Sequence, residues 1–187
     1  AEKRASEADI QHLSNAFLEA ALPLKKRLIQ LFDERQIKVP IQALFDSFDA
    51  TEDRAFRQDI AEALIPLNDP AIYDFLKDRY DENTKTAFTK ICLKYYSGDK
   101  EYELFDVLTR CDIFDIHEIQ DDVLKSEGLP KYPVFNNILR ILYHKMKCSL
   151  CRREIVEKMI EHHCIDDNLY EEIRYDVNPD TREMAQR

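Results

Sequence analysis

Cys148-Ser-Leu-Cys151, with His162, His163 and Cys164 further on, supplies the residue types that hold zinc, since thiolates and imidazoles in a C-x2-C plus His/Cys pattern can complete a tetrahedron. The intervening stretch argues against that full set. Cys151, Ile155, Met159 and Ile160 follow helical spacing, so CRREIVEKMIEHHC reads as one helix. Its ends then stand roughly 18–20 Å apart at ~1.5 Å per residue, and one ion does not reach both. A smaller set remains: His144, Cys148 and Cys151, at i, i+4 and i+7, share a face if the preceding helix runs on through Ser149. The expectation is nevertheless that these cysteines pack as small hydrophobes, with no metal and no cofactor.

Other chemistry fares no better. A nucleophilic thiol needs a base and an oxyanion donor held close, whereas Cys92 falls on the apolar stripe from Phe88 to Tyr95. His117 beside Glu118, and His12 near Asp9, read as surface pairs on helices. Asp121-Asp122, Asp166-Asp167 and Glu171-Glu172 are adjacent in sequence, so on a helix each pair diverges by about 100° and does not share a proton as a catalytic dyad does. They read as capping and solvated residues, and no catalytic residue is expected.

The aromatics suggest binding instead. All nine tyrosines lie from Tyr73 onward, and Tyr73, Tyr80 and Tyr96 flank the apolar columns described below. Tyrosine buries area while its hydroxyl stays satisfiable, so these three either roof the core or line a groove for a protein or peptide. They are the nominated partner contacts.

The elements that must position such residues are helices. The chain has 187 residues with only two glycines, Gly98 and Gly128, each after a helical run where a left-handed C-terminal cap is wanted. Gly-rich phosphate loops are thereby excluded, and hairpin dipeptides such as Asn-Gly are absent. The chain reads all-α. Its net charge of −10 repels phosphate backbones, which disfavours nucleic acid, and Lys25-Lys26-Arg27 and Arg152-Arg153 read as solvated faces. No apolar run approaches the ~18–20 residues of a membrane span. Five cysteines scattered within helical patterns point to a reducing, cytoplasmic setting. The chain starts at Ala1 rather than Met, which fits a processed form or the soluble piece of a larger protein.

Thr51 to Leu76 is the clearest unit. Thr51 is the expected cap, Phe56, Ile60, Ala63, Leu64 and Leu67 make one apolar face, and Asp69-Pro70 restarts the chain as a second helix. Ile41, Leu44, Phe45 and Phe48 recur 31 residues later as Ile72, Phe75 and Leu76, with Arg79 in the fourth slot. Leu104, Val107, Leu108 and Cys111 follow, then Phe135, Ile138, Leu139 and Leu142, then Leu169, Tyr170 and Ile173, and one step back lie Ile10, Leu13 and Phe17. Alternate helices repeat less strictly: Phe56, Ile60 and Leu64 answer to Phe88, Ile91/Cys92 and Tyr95, to Ile116, Ile119 and Val123, and to Leu150/Cys151, Ile155 and Met159. A fixed period of this size means stacked helical hairpins, each lending a face to the next.

Between these columns the sequence predicts a first helix over Glu7 to Leu22 with Ser6 as cap and Pro23 closing it, and a second through Leu31 and Phe32 that ends before Pro40. It predicts another over about 115–127, then a bend or subdomain seam at residues 128–133 around Gly128, Pro130 and Pro133. Pro133 opens the strongly apolar helix VFNNILRILYHKMK, and the tail DVNPDTREMAQR reads as frayed or extended.

The segment D53-R54-A55-F56-R57 … A61-E62-A63-L64 … N68-D69-P70 resembles the short bacterial type of HEAT repeat, with its acidic turn, Arg, Ala-rich second helix and Asp-Pro restart. The next unit, ENTKTAFTKICLKYYSGDK, keeps the turn acid and a Gly-Asp restart but lacks the Arg and the small-residue helix. The resemblance covers Pro40 to Pro130. It implies a right-handed α-solenoid of antiparallel helical hairpins, about five to six in this chain, forming a single domain over residues 1–187. Such repeats serve scaffolds, chaperones, lyases and DNA glycosylases. The expected function is a non-enzymatic protein–protein interaction scaffold whose acidic, Tyr-bearing groove takes a partner with a basic surface. The alternatives are an enzyme of glycosylase or lyase type on a HEAT-like scaffold, and the assembly platform of a larger or membrane-bound protein. A glycosylase groove should be basic and aromatic-rich, yet the balance is acidic and Trp is absent.

Overall fold

Ser6, the first described residue, closes a capping box: its backbone N–H and the Asp9 carboxylate, and its hydroxyl and the Asp9 N–H, satisfy one another at the start of α1 (Glu7–Glu19). The computed structural model describes residues 6–32 and 37–186, without the side chain of Asp99. Pro23 does not close α1. It sits in the first turn of α2 (Leu22–Ile29), where its missing N–H leaves no bond unmade, and residues 30–32 continue as a turn. The end predicted ahead of Pro40 lies partly outside the described residues.

The next pair is α3 (Ile41–Asp49) and α4 (Arg54–Leu64). Asp53 rather than Thr51 caps α4, its Oδ1 accepting from the Phe56 N–H at 3.2 Å, while the Thr51 hydroxyl accepts from the Asp53 N–H and braces the cap. Asp69 accepts from the Ala71 N–H and restarts the chain as α5 (Ala71–Leu76), and α6 (Lys85–Lys94) follows. The chain divides into two compact units at residues 91/92, inside α6.

In the first unit α1 packs on α2, α3 on α4, and α2 on α4. The apolar faces of α3 and α5 meet. Phe45 and Phe75 stack with centroids 3.9 Å apart, Phe48 meets Phe75 edge-on, and the Arg79 guanidinium lies over the Phe75 ring while its Nε donates to Asp49. Leu44, Ile60, Leu64, Ile72 and Leu76 are fully buried, each favouring the folded state by about 1.5–3 kcal/mol through transfer from water.

The second unit comprises α7 (Glu101–Arg110), α8 (Ile113–Leu124), α9 (Val134–Lys145), α10 (Ser149–Glu161), α11 (Asp167–Ile173) and α12 (Pro179–Met184). Here α7 packs on α9, α8 on both α9 and α10, α9 on α10, and α10 on α12. Leu104, Val107, Leu108, Ile116, Ile119, Ile138, Leu139 and Leu142 are fully buried, as their columns require. Leu150 departs from its column and stands exposed. Residues 128–133, where the sequence predicts a seam, hold a short 3-10 turn (Leu129–Lys131) with Leu129 fully buried inside the second unit.

The helix expected over 115–127 begins two residues earlier because Asp112 closes a capping box with Asp115. Lys145 ends α9 and donates to the carbonyls of Leu108, Thr109 and Cys111, satisfying the free C-terminal end of α7. The tail is neither frayed nor extended. Asn178 caps α12, Thr181 is buried, and the Asp176 carboxylate, almost wholly withdrawn from water, meets the Arg152 Nε at 2.5 Å. At the end of α10, His163 takes a positive φ of 51° and Cys164 N–H donates to the Met159 carbonyl, so a histidine occupies the left-handed capping position more often held by glycine.

All the described residues are helix, turn or irregular, with no strand among them, so the chain is all-α. No helix among them is long and apolar enough to cross a membrane.

Candidate functional site

Gln120 sets the register between α8 and α10. It is 2% exposed, and its Nε2 donates both to the Cys151 carbonyl at 3.3 Å and to the Glu154 carboxylate at 2.8 Å. Ile116, Ile119 and Val123 anchor the same helix in the core, which leaves His117 on the outer side, one turn before Gln120. On α10, Ile155, Val156 and Met159 are the buried anchors, and they hold the first turn, with Cys148 and Cys151, at the surface.

Two breaks in helical backbone decide the rest. α9 ends at Lys145, Met146 is extended at φ −74° and ψ 114°, and Cys148 is extended at φ −69° and ψ 118° as the N-cap of α10. The helix therefore does not run on through Ser149, and His144 stays on the last turn of α9. His117 takes its place: the ligand atoms of His117, Cys148 and Cys151 all lie within 4.8 Å of one another, with Cys151 Sγ 3.3 Å from His117 Nε2.

The two thiols are electrostatically unlike. The backbone N–H of Cys151 and then its side chain, the Leu150 N–H and His117 draw the Cys148 thiol down to about 7, as the free N–H groups of a helix start do for a thiolate. Burial, the neighbouring Cys148 and the carboxylates of Glu154 and Asp121 push Cys151 up to about 11. Two cysteine sulfurs beside an imidazole are a soft donor set, and the neighbouring acids favour a cation there.

A second feature lies on the far side of α10. A groove of about 420 Å³ runs between α10 and α12, with Ile160 and Met184 apolar and Glu157, Glu161, Asp180 and Glu183 acidic. Arg153 bridges Glu157 and Asp180 across it, so the groove keeps a net negative charge.

Comparisons with protein-family models, curated proteins and solved structures gave no match.

The nominated tyrosines are spread along the chain. Tyr73 is 4% exposed, its ring 5.9 Å from Phe88. Tyr80 is half-buried and stacks on the same Phe88 at 4.5 Å, and Tyr96 is half-buried and edge-on to Tyr132. Cys92 is fully buried, and burial raises its thiol far above the ordinary range. Cys111 and Cys164 are buried as well, and burial likewise raises Cys164. His162, His163 and Cys164 stand at the opposite end of α10 from Cys148.

The adjacent acids serve structure. Asp121 pairs with Lys125, Asp166 caps α11 and pairs with Arg140, Glu171 pairs with Arg174, and Glu172 accepts from the Tyr143 hydroxyl. The basic clusters are likewise engaged: Lys26 with Asp53, Arg152 with Asp176, and Arg153 in the groove. The sequence reading missed His117 as a partner of the two cysteines. The columns carried no signal for it: the slot answering to Ile116 was Leu150/Cys151, and equivalent places in successive helix pairs do not by themselves bring side chains together.

Proposed function

We propose that this chain is a non-enzymatic helical-repeat scaffold that holds a basic segment of a partner protein in the groove between α10 and α12. The observation that carries this reading is the groove itself: two apolar side chains set among four carboxylates, one arginine opposing them. A segment that alternates lysine or arginine with an apolar residue matches that lining in charge and in hydrophobicity.

The solenoid arrangement belongs to the same proposal. Helices that pack on their neighbour and next-but-one neighbour are what stacked hairpins produce, and the polar ties follow suit: Arg79 reaches back 30 residues to Asp49, Gln120 reaches 31 forward to Cys151, and Tyr143 reaches 29 forward to Glu172. Stacking in one hand would yield the right-handed superhelix of about five to six hairpins. Tyr80 and Tyr96, which keep part of their surface accessible, remain contact candidates within it. Five unbridged cysteines suit a reducing compartment.

The test is titration of the full chain with a lysine- and leucine-bearing peptide and with its glutamate counterpart. Glu161→Lys with Glu183→Lys reverses charge at the last turns of α10 and α12, where a cation suits the helix dipole; the exposed Lys158–Glu161 pair is lost with it, and circular dichroism checks that the fold is kept. The expected result is binding of the lysine peptide alone, weakened at least about tenfold by the double substitution and less sensitive to salt afterwards. Equal affinity before and after the substitution contradicts the proposal.

A further inference from the structure

We propose that His117, Cys148 and Cys151 bind one zinc ion, which clips the start of α10 to α8. The donor set is one imidazole and two thiols, the borderline-soft combination that zinc accepts in tetrahedral sites. The geometry agrees. With Zn–N near ~2.0 Å and Zn–S near ~2.3 Å, the edge of a zinc tetrahedron between nitrogen and sulfur is about 3.5 Å. Cys151 Sγ and His117 Nε2 are 3.3 Å apart, and Cys148 Sγ completes the group within 4.8 Å.

The protein holds these donors in place without the ion. Cys148 is fixed by the cap of α10, Cys151 is one turn inside it, and Gln120 ties the Cys151 carbonyl to α8 three residues beyond His117. A buried glutamine that links backbone and carboxylate around a ligand does the orienting that outer-shell partners perform in metal sites. Asp121 and Glu154, outside ligand reach, add negative charge around Cys151, and water is the donor for the fourth position. On binding, each thiol gives up its proton to solvent, so two thiols and Zn²⁺ become a bis-thiolate complex with two protons released. This inference stands apart from the groove, which lies on the other side of α10.

The competing chemistry for the same residues is a Cys148–Cys151 disulfide, and one experiment separates them. Chelator-stripped full-length protein, kept reduced with a phosphine, is titrated with Zn²⁺ against a chromophoric chelator, and with Co²⁺ for its thiolate-to-metal absorption. Wild type should take up one ion per chain with the thiolate band. Cys148→Ser, Cys151→Ser and His117→Ala should each lose at least the roughly 10–100-fold in affinity that even an outer-shell defect costs, and the serine variants should lose the band. His144→Ala should bind as wild type does.

A readout on wild type alone guards against a variant that fails to fold: zinc should shield Cys148 and Cys151, and no other cysteine, from alkylation read by mass spectrometry. The proposal is overturned if the reduced wild type binds no zinc, if His117→Ala or Cys151→Ser binds equally well, or if His144→Ala abolishes binding. A Cys148–Cys151 disulfide that forms readily in a protein without affinity for zinc overturns it too.

Discussion

Asp176 is a buried acid whose contacts tie the tail to the second unit. Its carboxylate is 2% exposed, meets Arg152 at 2.5 Å and accepts from the Asn178 N–H at 2.8 Å, while its carbonyl accepts from Arg182. Removing one partner of a buried pair leaves the other charge uncompensated, which costs more than the pair contributes. Asp176→Ala is therefore expected to destabilise the protein by about 3 kcal/mol, measured by denaturant unfolding, and to loosen α12 first. A change under about 0.5 kcal/mol, the size of an ordinary surface substitution, would contradict this role. None of it was legible in the sequence, where the tail offers only Asn-Pro-Asp as punctuation. The partner, Arg152, lies 24 residues earlier, and the two face each other only because α12 docks on α10.

At the scale of the element, the helices were legible wherever a cap and an apolar stripe agreed. α9 and α4 appear where their stripes place them, and the errors fall at ends decided by one hydrogen bond: Asp53 instead of Thr51, Asp112 instead of a later start, and Pro23 inside α2 instead of after α1. Proline both ends and begins helices, and only the fold chooses between the two. The candidate metal donors were half legible for the same reason. Cys-Ser-Leu-Cys stood out, but its histidine depended on whether α9 continued, and it stops at Lys145.

Caps also set a pH dependence. The Leu169 N–H, then Arg140, hold the Asp166 carboxyl below its ordinary value of 3.8. A depressed folded pKa means that the unfolded chain binds the proton first. The carboxylate therefore contributes stability above the ordinary carboxylate pKa, and that contribution is lost as pH falls through the lower folded value. Asp166→Asn keeps an acceptor at the cap but removes the charge. Its melting temperature should fall below wild type near neutrality and converge with it in strong acid, and a gap that persists unchanged at low pH would contradict the assignment.

For the whole molecule, the net charge of −10 coexists with basic clusters that are each engaged by acids, so the excess negative charge remains for solvent or for a partner. The division at residues 91/92 had no counterpart in composition, because the apolar stripe Phe88, Ile91 and Cys92 crosses it along one helix. What the sequence did convey was a spacing of apolar residues, and on the proposed stacking its cause is that helix pairs too small to bury their own faces are buried by the next pair. If the proposed stacking holds, stability is local and propagates to neighbours. The direct measurement is native-state hydrogen exchange on the full chain carrying Ile138→Ala, a fully buried position of α9 whose truncation costs about 2–5 kcal/mol. Protection should drop in α7 to α10 while α3 and α4 keep theirs, and an equal loss in α3 and α4 would contradict neighbour-by-neighbour shielding.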